Sequence, residues 1–427
     1  MMEVTYQLQD AAKINGYGVH RTVDAATTIE RIEPLLEKIG VTRVADITGL
    51  DRLGIPVVSA TVPEDKCAIS VNNGKGFTFL GAKAGALMET LERYSAENVP
   101  LEIITGSFNE LSKEHKMMNP YAVPSYIDLE QDLLEVSIDW TPAQELFSSE
   151  TVLVPAHLVG IPWGSENGKG IWIESTNGLG SGNVNEEAIC HALNELVERD
   201  AHTLAVLEAQ LKPNIEYIMN DGPMVPSNHE LFKIIDLDTV PEKYKQYIKK
   251  INDEGLQLIV RDITSAIQIP TFSATLVEED WQGKYYCHGG AGTHPDPEIA
   301  LERAITEAAQ SRLTDIQGAR EDMADQQDSV KPTDFSFLTI DKGSKKSFEE
   351  VKGYKNTTVK NDILQILQGL AKNNLKEVYL VNLTLEEIGI PVVRLIVPGL
   401  ENWVLNKFDM RGCVVGERGA KAFGLTT

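Results

Sequence analysis

The sequence predicts an α/β fold of mixed α+β character, built from a repeated helix-strand-strand unit and carrying three acidic helices. The unit is read from a strand-like stretch that leads to an Ile-Pro pair and a second strand, which occurs three times in 427 residues. Val44-Ala45-Asp46-Ile47-Thr48 leads to Ile55-Pro56-Val57-Val58. Val260-Arg261-Asp262-Ile263-Thr264 leads to Ile269-Pro270-Thr271-Phe272, and Val378-Tyr379-Leu380-Val381-Asn382 to Ile390-Pro391-Val392-Val393. Each copy follows apolar residues at helical spacing, over Ile29 to Ile39, Tyr244 to Ile251 and Ile363 to Leu370. The acidic helices are read from a glycine-rich stretch entering an acid-bearing segment, again three times.

A sheet tolerates proline at a strand's first residue, so each Ile-Pro marks where a strand begins. The copies lie within 1–65, 240–280 and 360–400 of one domain spanning 1–427. The unequal insertions between them exclude a solenoid, which needs a tight fixed period.

The formal net charge of −24 sets up a field that repels polyanions, so no nucleic-acid partner is expected. No apolar run approaches the roughly 20 residues that span a bilayer. Met1-Met2-Glu3-Val4-Thr5 has neither the basic nor the apolar part of a signal peptide. No membrane partner and a cytoplasmic location are therefore expected. Cys67, Cys190, Cys287 and Cys413 show no C-x-x-C spacing, which argues against a zinc site or a disulfide framework. A homodimer is the expected assembly, because most soluble oligomers are symmetric dimers.

In chain order, Asn72-Asn73-Gly74-Lys75-Gly76 reads as a glycine turn entering the first acidic helix, over residues 80–98. That helix contains Glu89-Thr90-Leu91-Glu92-Arg93, and a spacing of three puts both carboxylates on one face. Residues 100–170 read as strands and loops punctuated by Pro120, Pro124, Pro142 and Pro162. Ile171-Trp172-Ile173 reads as a strand entering a glycine-rich loop that runs to Gly182-Asn183. The second acidic helix then starts from Asn185 as N-cap and contains Glu195-Leu196-Val197-Glu198-Arg199. Gly289-Gly290-Ala291-Gly292 precedes the third, from Ala300 to Arg312, with an apolar face at Ala300, Leu301, Ala304, Ile305 and Ala308. Glu307, Gln310 and Arg312 lie toward a margin of that face. Residues 321–358 read as a surface excursion, and the end, with Arg411-Gly412 and Glu417 to Lys421, as mobile or glycine-bent.

Two like charges one turn apart repel, so a pair repeated on helices rich in small residues calls for a compensating cation. Glu89, Glu92, Glu195 and Glu198 form a hard-oxygen set suited to Mg2+. Glycine turns at helix starts leave N–H groups that suit phosphate, and Lys75 adds a point charge, although no Walker loop is present. Arg199 and Arg312 can fork onto phosphate oxygens. Nucleotide-dependent phosphoryl transfer needs positioning and charge neutralisation, not a protein nucleophile. The chain fits that, with no G-x-S-x-G and no placed Cys-His pair. The competing reading of Glu-x-x-Glu-Arg is a solvated helix face with internal salt bridges. His20, His288 and His294 lie near glycine stretches and are read as structural.

The runs Gly74-Lys75-Gly76 with Glu89-x-x-Glu92-Arg93-Tyr94, Gly182-Asn183 through Glu187-Ala188 to Glu195-x-x-Glu198-Arg199-Asp200, and Ala300-Leu301 through Glu307 to Gln310-Ser311-Arg312 resemble the three ATP-binding motifs of YcaO proteins. The opening from Arg21 to Val58 does so too, and the resemblance covers nearly the whole chain. It implies a YcaO-type ATP-binding fold with the three acidic helices around the nucleotide, and ATP and Mg2+ as cofactors. It implies Glu89, Glu92, Glu195 and Glu198 as Mg2+ ligands. It implies Arg21, Thr28, Asn183, Glu187, Arg199 and Arg312 as nucleotide or metal contacts. Lys75, Glu307 and Gln310 complete the expected site, and Glu89, Glu195, Glu198 and Arg199 are expected to carry catalysis.

The activity implied is phosphorylation of a backbone amide oxygen in a peptide, followed by its replacement. A substrate side chain gives an azoline; sulfide gives a thioamide. The chain ends Ala422-Phe423-Gly424-Leu425-Thr426-Thr427, without the proline-rich tail of azoline-forming members, and leaves no room for a leader-recognition domain. It is similar to the archaeal YcaO that acts with a TfuA partner on a glycine of the methyl-coenzyme M reductase α subunit. The partners implied are that peptide, a TfuA-like protein and sulfide or another sulfur donor. An azoline-forming cyclodehydratase and a non-catalytic nucleotide-binding scaffold are the alternatives.

Overall fold

The Ile-Pro pairs at Pro56, Pro270 and Pro391 each stand immediately before the middle strand of an antiparallel trio, and what lies opposite that strand is a glycine. The computed structural model describes residues 4–14, 20–63, 70–124, 132–162, 164–168, 170–172, 174–220, 222–319, 336–401 and 415–424. The chain opens with α1 (Ala25–Ile32), β1 (Arg43–Asp46), β2 (Val57–Thr61), β3 (Val71–Lys75) and α2 (Phe79–Asn98). It continues through β4 (Ile104–Gly106), α3 (Phe108–Leu111), β5 (Ile138–Glu145), β6 (Thr151–Pro155), β7 (Leu179–Ser181), α4 (Asn185–Val206) and α5 (Ile215–Asn220). Next come β8 (Ile234–Asp236), α6 (Glu242–Asp253), β9 (Gln257–Asp262), β10 (Thr271–Glu279), β11 (Tyr285–Thr293) and α7 (Pro297–Gln317). The last elements are β12 (Lys345–Ser347), α8 (Val359–Lys372), β13 (Tyr379–Asn382), β14 (Val392–Ile396) and α9 (Glu417–Phe423).

Three sheets result, ordered β1-β2-β3, β11-β10-β9-β8-β12 and β4-β5-β13-β14-β7, with β6 beside β5. Each contains the same trio: β1-β2-β3, β9-β10-β11 and β13-β14-β7. The register is the same in all three. The second residue after the proline faces a glycine: Val58 faces Gly74, Phe272 faces Gly292 and Val393 faces Gly180.

That glycine sets the distance from strand to helix. A Cβ on Gly74 would lie 2.1 Å from both the Ala82 oxygen and the Ala86 nitrogen of α2. On Gly292 it would lie 2.1 Å from the Ala300 oxygen and 2.5 Å from the Ala304 nitrogen; on Gly180, 2.5 Å from the Ala188 oxygen and 3.0 Å from the Ala192 nitrogen. Each acidic helix is thus pressed backbone-to-backbone onto its glycine strand, through a seam only Gly and Ala can fill. The glycine stretches expected to be phosphate-binding loops are therefore largely strand, and their glycines serve packing. Ile171 and Trp172, expected to be strand, are non-regular, and the strand is Leu179–Ser181.

The third trio is permuted. Its β13 and β14 follow α8 near the end of the chain, yet their edge partner β7 and helix α4 come from its middle. One apolar core forms between α4 and α8, with Ile189, Leu193, Ile363 and Leu367 buried together. Another lies between α6 and α7 on β9 and β10, around Tyr244, Phe272, Leu301 and Ile305.

Several expectations are corrected. The first helix ends at Ile32 and tightens into a 3-10 turn over Glu33–Leu35, where Pro34 removes a backbone donor. Asn185 is the first helical residue; Val184 holds the cap position without a side-chain bond. Of 321–358, residues 320–335 lie outside the described residues, and the rest is not a mere excursion. Phe337 is fully buried, and β12 pairs in parallel with β8. The Arg261 guanidinium fixes this return by donating to the carbonyls of Phe232, Ile340 and Lys342 at 2.9, 2.8 and 2.7 Å. Arg411-Gly412 lie outside the described residues, but Glu417 to Lys421 belong to α9, where Arg418 donates to buried Asp200 at 2.7 Å. No described helix is long and apolar enough to cross a membrane.

Candidate functional site

Three strand-helix seams put three helix faces in the same register, so side chains at equal distances from the seam alanines are equivalent. Three residues beyond Ala86, Ala192 and Ala304 stand Glu89, Glu195 and Glu307. Six beyond stand Glu92, Glu198 and Gln310; seven beyond, Arg93, Arg199 and Ser311. The units then close on each other in a ring: β3 packs against α7, β11 against α4 and β7 against α2. Side chains stitch two of these contacts. Ser181 Oγ donates to Glu92 Oε2 at 2.8 Å, and Lys75 Nζ to Glu307 Oε2 at 2.5 Å. Gln310 Nε2 donates to the Asn73 carbonyl, and Asn73 Nδ2 to Thr314 Oγ1 at 2.9 Å.

The ring encloses a cavity of about 1660 Å³. Glu89, Glu92, Glu195, Glu198 and Glu307 all line it, with Lys75, Arg199 and Gln310. Burial raises the Glu92 carboxyl to about 8, against the lowering effect of Ser181 and with further raising by Glu195 and Glu89. Burial and then the nearby Glu307 raise Glu198. Glu307 is half-buried, which would raise it, but Lys75, Arg199 and the Ala291 N–H outweigh that and hold it below the usual carboxylate range. Carboxylates gathered in one buried cluster are the arrangement a divalent cation stabilises.

Atoms left without partners locate what is missing. Glu198 Oε2 is buried and has no hydrogen-bond partner among the described residues, and the same holds for Arg303 Nε across the cavity wall. A carboxylate oxygen and a guanidinium N–H so placed fit a metal ion and an anionic group bridged by it. The residues present therefore fit Mg2+ with a polyphosphate.

At the α4 end, the N-terminal stretch folds over the helix start. The Thr22 N–H and hydroxyl donate to Glu187 Oε1 at 2.5 and 2.8 Å, and the Asn183 N–H to Glu187 Oε2 at 2.9 Å. Arg21 lies 3.7 Å from the same carboxylate, and Thr28 Oγ1 3.2 Å from Asn183 Oδ1. Burial would raise Glu187, but Arg21 and these N–H donors pull it below the ordinary range. Arg21, Thr28, Asn183 and Glu187 therefore gather at one end of the cavity.

Arg312 does not join them. It lies outside the cavity lining, bonded to Asp51 at 3.0 Å and Glu278 at 2.6 Å. The cavity arginine on α7 is Arg303, which sequence reasoning passed over, along with His191. Both stand one residue before a seam alanine, where α2 has Gly85, so alignment on the glycine and alanines would have found them.

A second polar group borders the cavity. His20, His294 and Asp362 each offer a donor atom, all within 4.8 Å of one another. Their bonds do not suit a metal ion. His294 Nδ1 accepts from the Asp296 N–H at 2.9 Å, which leaves its proton on Nε2, facing Asp362 at 3.5 Å. His20 Nδ1 accepts from Lys13 Nζ at 3.2 Å, and the same ammonium also meets Asp362. Lys13 already supplies the cation there.

Residues 73–401 match the protein family described as YcaO cyclodehydratase, ATP- and Mg2+-binding. The chain is 33% identical to an uncharacterized protein of Methanothermobacter thermautotrophicus, over 89% of this chain and 95% of that one. It is 32% identical to an uncharacterized protein of Rhizobium leguminosarum bv. trifolii encoded in the tfuA 3' region, over 89% and 88%. In fold it resembles the YcaO from Methanopyrus kandleri bound with AMPPCP and Mg2+, with a TM-score of 0.71 and 23% identity over 96% and 98%.

Proposed function

Because the chain belongs to the YcaO family, whose cofactors are ATP and Mg2+, we propose that it activates a backbone amide of a peptide through ATP and converts it to a thioamide. The bound nucleotide would supply its γ-phosphoryl group to the amide oxygen, ADP leaving; sulfide then adds to the amide carbon and the oxygen departs as phosphate. Carbon takes up one sulfur for one oxygen, and no oxidant is consumed.

The chain's own part is binding, charge placement and exclusion of water. Glu89, Glu92, Glu195 and Glu198 would hold Mg2+, with Glu307 completing the ring. Lys75, Arg199 and Arg303 would face the phosphates, while Arg21, Thr28, Asn183 and Glu187 fix the end of the site where the N-terminal stretch crosses α4. Such a site works by positioning and neutralisation. The observation that carries the reading is the pair of buried atoms Glu198 Oε2 and Arg303 Nε, neither of which has a hydrogen-bond partner among the described residues.

The substrate we propose is a glycine-containing segment of the methyl-coenzyme M reductase α subunit, with sulfide or another sulfur donor. A TfuA-like protein is the proposed partner, supported by the Rhizobium relative's position beside tfuA; the proposed assembly is a homodimer. The second reading is cyclodehydration to an azoline, favoured by the family's own description. Incubation with ATP, Mg2+, sulfide and the glycine peptide separates them by mass spectrometry. Replacement of oxygen by sulfur supports thioamidation, and loss of water alone overturns it.

A further inference from the structure

The trio strands β2, β3 and β14 have five residues each, whereas β10 and β11 have nine. The β10–β11 ribbon therefore extends past the glycine seam, to a tip where Trp281 is 89% exposed. On β10 the extension still buries Leu276 and Val277, and the strand reaches solvent only beyond them. β11 is also an edge: no described strand pairs with its outer side.

The ladder shows which groups face outward. His294 N–H bonds Pro270 and Asp280 N–H bonds Lys284, so even-numbered residues of β11 carry the bonds to β10. Odd-numbered residues then point their N–H and C=O to the free edge. At the inner end these are engaged: the Ala291 N–H donates to Glu307 Oε1 at 3.2 Å, and the Gly289 carbonyl accepts from Ser311 Oγ at 2.8 Å. Further out, the Gly289 N–H and both backbone groups of Cys287 have no partner among the described residues. A Cβ on Gly289 would meet nothing within 4 Å, so this stretch is uncovered, and it lines the cavity.

We infer that the outer edge of β11 at Cys287 and Gly289 docks the peptide substrate as an added antiparallel or parallel strand and feeds it to the carboxylates. This rests on the proposed function. Two residues of extended chain, about 7 Å, separate Gly289 from Ala291, whose N–H already holds Glu307 of the cluster. A peptide bonded at Cys287 and Gly289 thus delivers an amide a residue or two further along to the ring of glutamates. Main-chain pairing also suits an enzyme whose target is itself main chain.

The test measures binding of a fluorescent glycine peptide to the full chain with AMPPCP and Mg2+, scanning single backbone N-methyl groups along the peptide. Each methyl removes one donor, and strand pairing confines the loss to the residue whose N–H meets the Cys287 carbonyl, the neighbours on either side pointing away. The expected result is a roughly five- to ten-fold weakening at that one residue, equal to one hydrogen bond. Cys287→Pro, which removes only an outward N–H, weakens the unmethylated peptide similarly while Cys287→Ala does not, and both retain protection from thermal unfolding by AMPPCP and Mg2+. A flat methyl scan, or unchanged peptide affinity in Cys287→Pro, overturns the docking edge. Absence of peptide-dependent ATP turnover, with that position-specific loss intact, overturns the thioamidation reading instead.

Discussion

Glu198 concentrates the conflict between stability and function. Its carboxylate is buried beside Glu307 with one oxygen unpartnered among the described residues, so Glu198→Gln removes a buried charge at constant volume. The variant should melt no lower than the parent without ligand. Its ATP turnover should fall by more than the roughly 10–100-fold typical of losing an outer-shell partner. Turnover within two-fold of the parent would refute a metal-holding role for Glu198. The two α7 arginines give opposite expectations. Arg312→Ala strands the buried Asp51 carboxylate, Glu278 keeping Arg52, and should cost about 3 kcal/mol of stability, leaving nucleotide affinity in place. Arg303→Ala should leave the melting temperature near that of the parent and weaken ATP about ten-fold, the value of a charge-assisted bond. Glu92 fixes a pH dependence. Its folded pKa of about 8 lies above the unfolded value of 4.5, so its contribution to stability is full below 4.5 and lost as pH rises through 8. A metal needs the ionised form, so Mg2+ affinity should rise between pH 6 and 8 with about one proton released per ion. Calorimetry in two buffers of different ionisation enthalpy reads that proton directly, and identical heats would refute it.

The strand-helix seam decides what the helices can do. Gly292→Ala puts a methyl 2.1 Å from a helix carbonyl that cannot yield, and should cost about 3 kcal/mol or more. Denaturant midpoints measure this, with Gly289→Ala, which meets open space, as the matched control. The elements were largely legible because both of their signals are local. Ile-Pro marks where β2, β10 and β14 begin, and glutamates three apart mark one helix face. What escaped was non-local. The expected glycine loops became strands because each glycine answers to a helix backbone a few residues later, a contact that composition does not reveal. Arg312 was chosen over Arg303 because both flank an acidic helix segment, and only the seam alanines show which one faces inward. Phe337 and β12 were hidden inside a polar stretch because one buried arginine, Arg261, collects carbonyls from residues far along the chain.

At the level of the whole molecule, the ring makes the site a property of all three units together, since each acidic helix is backed by its own strand and faced by another unit's. Saturating ATP with Mg2+ should therefore stabilise the whole chain by about 2.7 kcal/mol at a hundred times the dissociation constant. The shift should appear in a single cooperative transition and vanish when Mg2+ is withdrawn. The family was readable because the acidic motifs stand in order along the chain. The ring was not, because its third member is split. That split governs how the protein is born. On the ribosome, Ser181 and Gly180 emerge long before Val392 and Val393, the partners that complete their sheet. While residues 207–358 are being made, α4 must wait on an unpaired glycine strand, exposing Ile189 and Leu193 until α8 arrives. The nascent chain is therefore vulnerable at its most important helix, and a chain stopped short of β14 would carry every glutamate of the site yet be unable to assemble it.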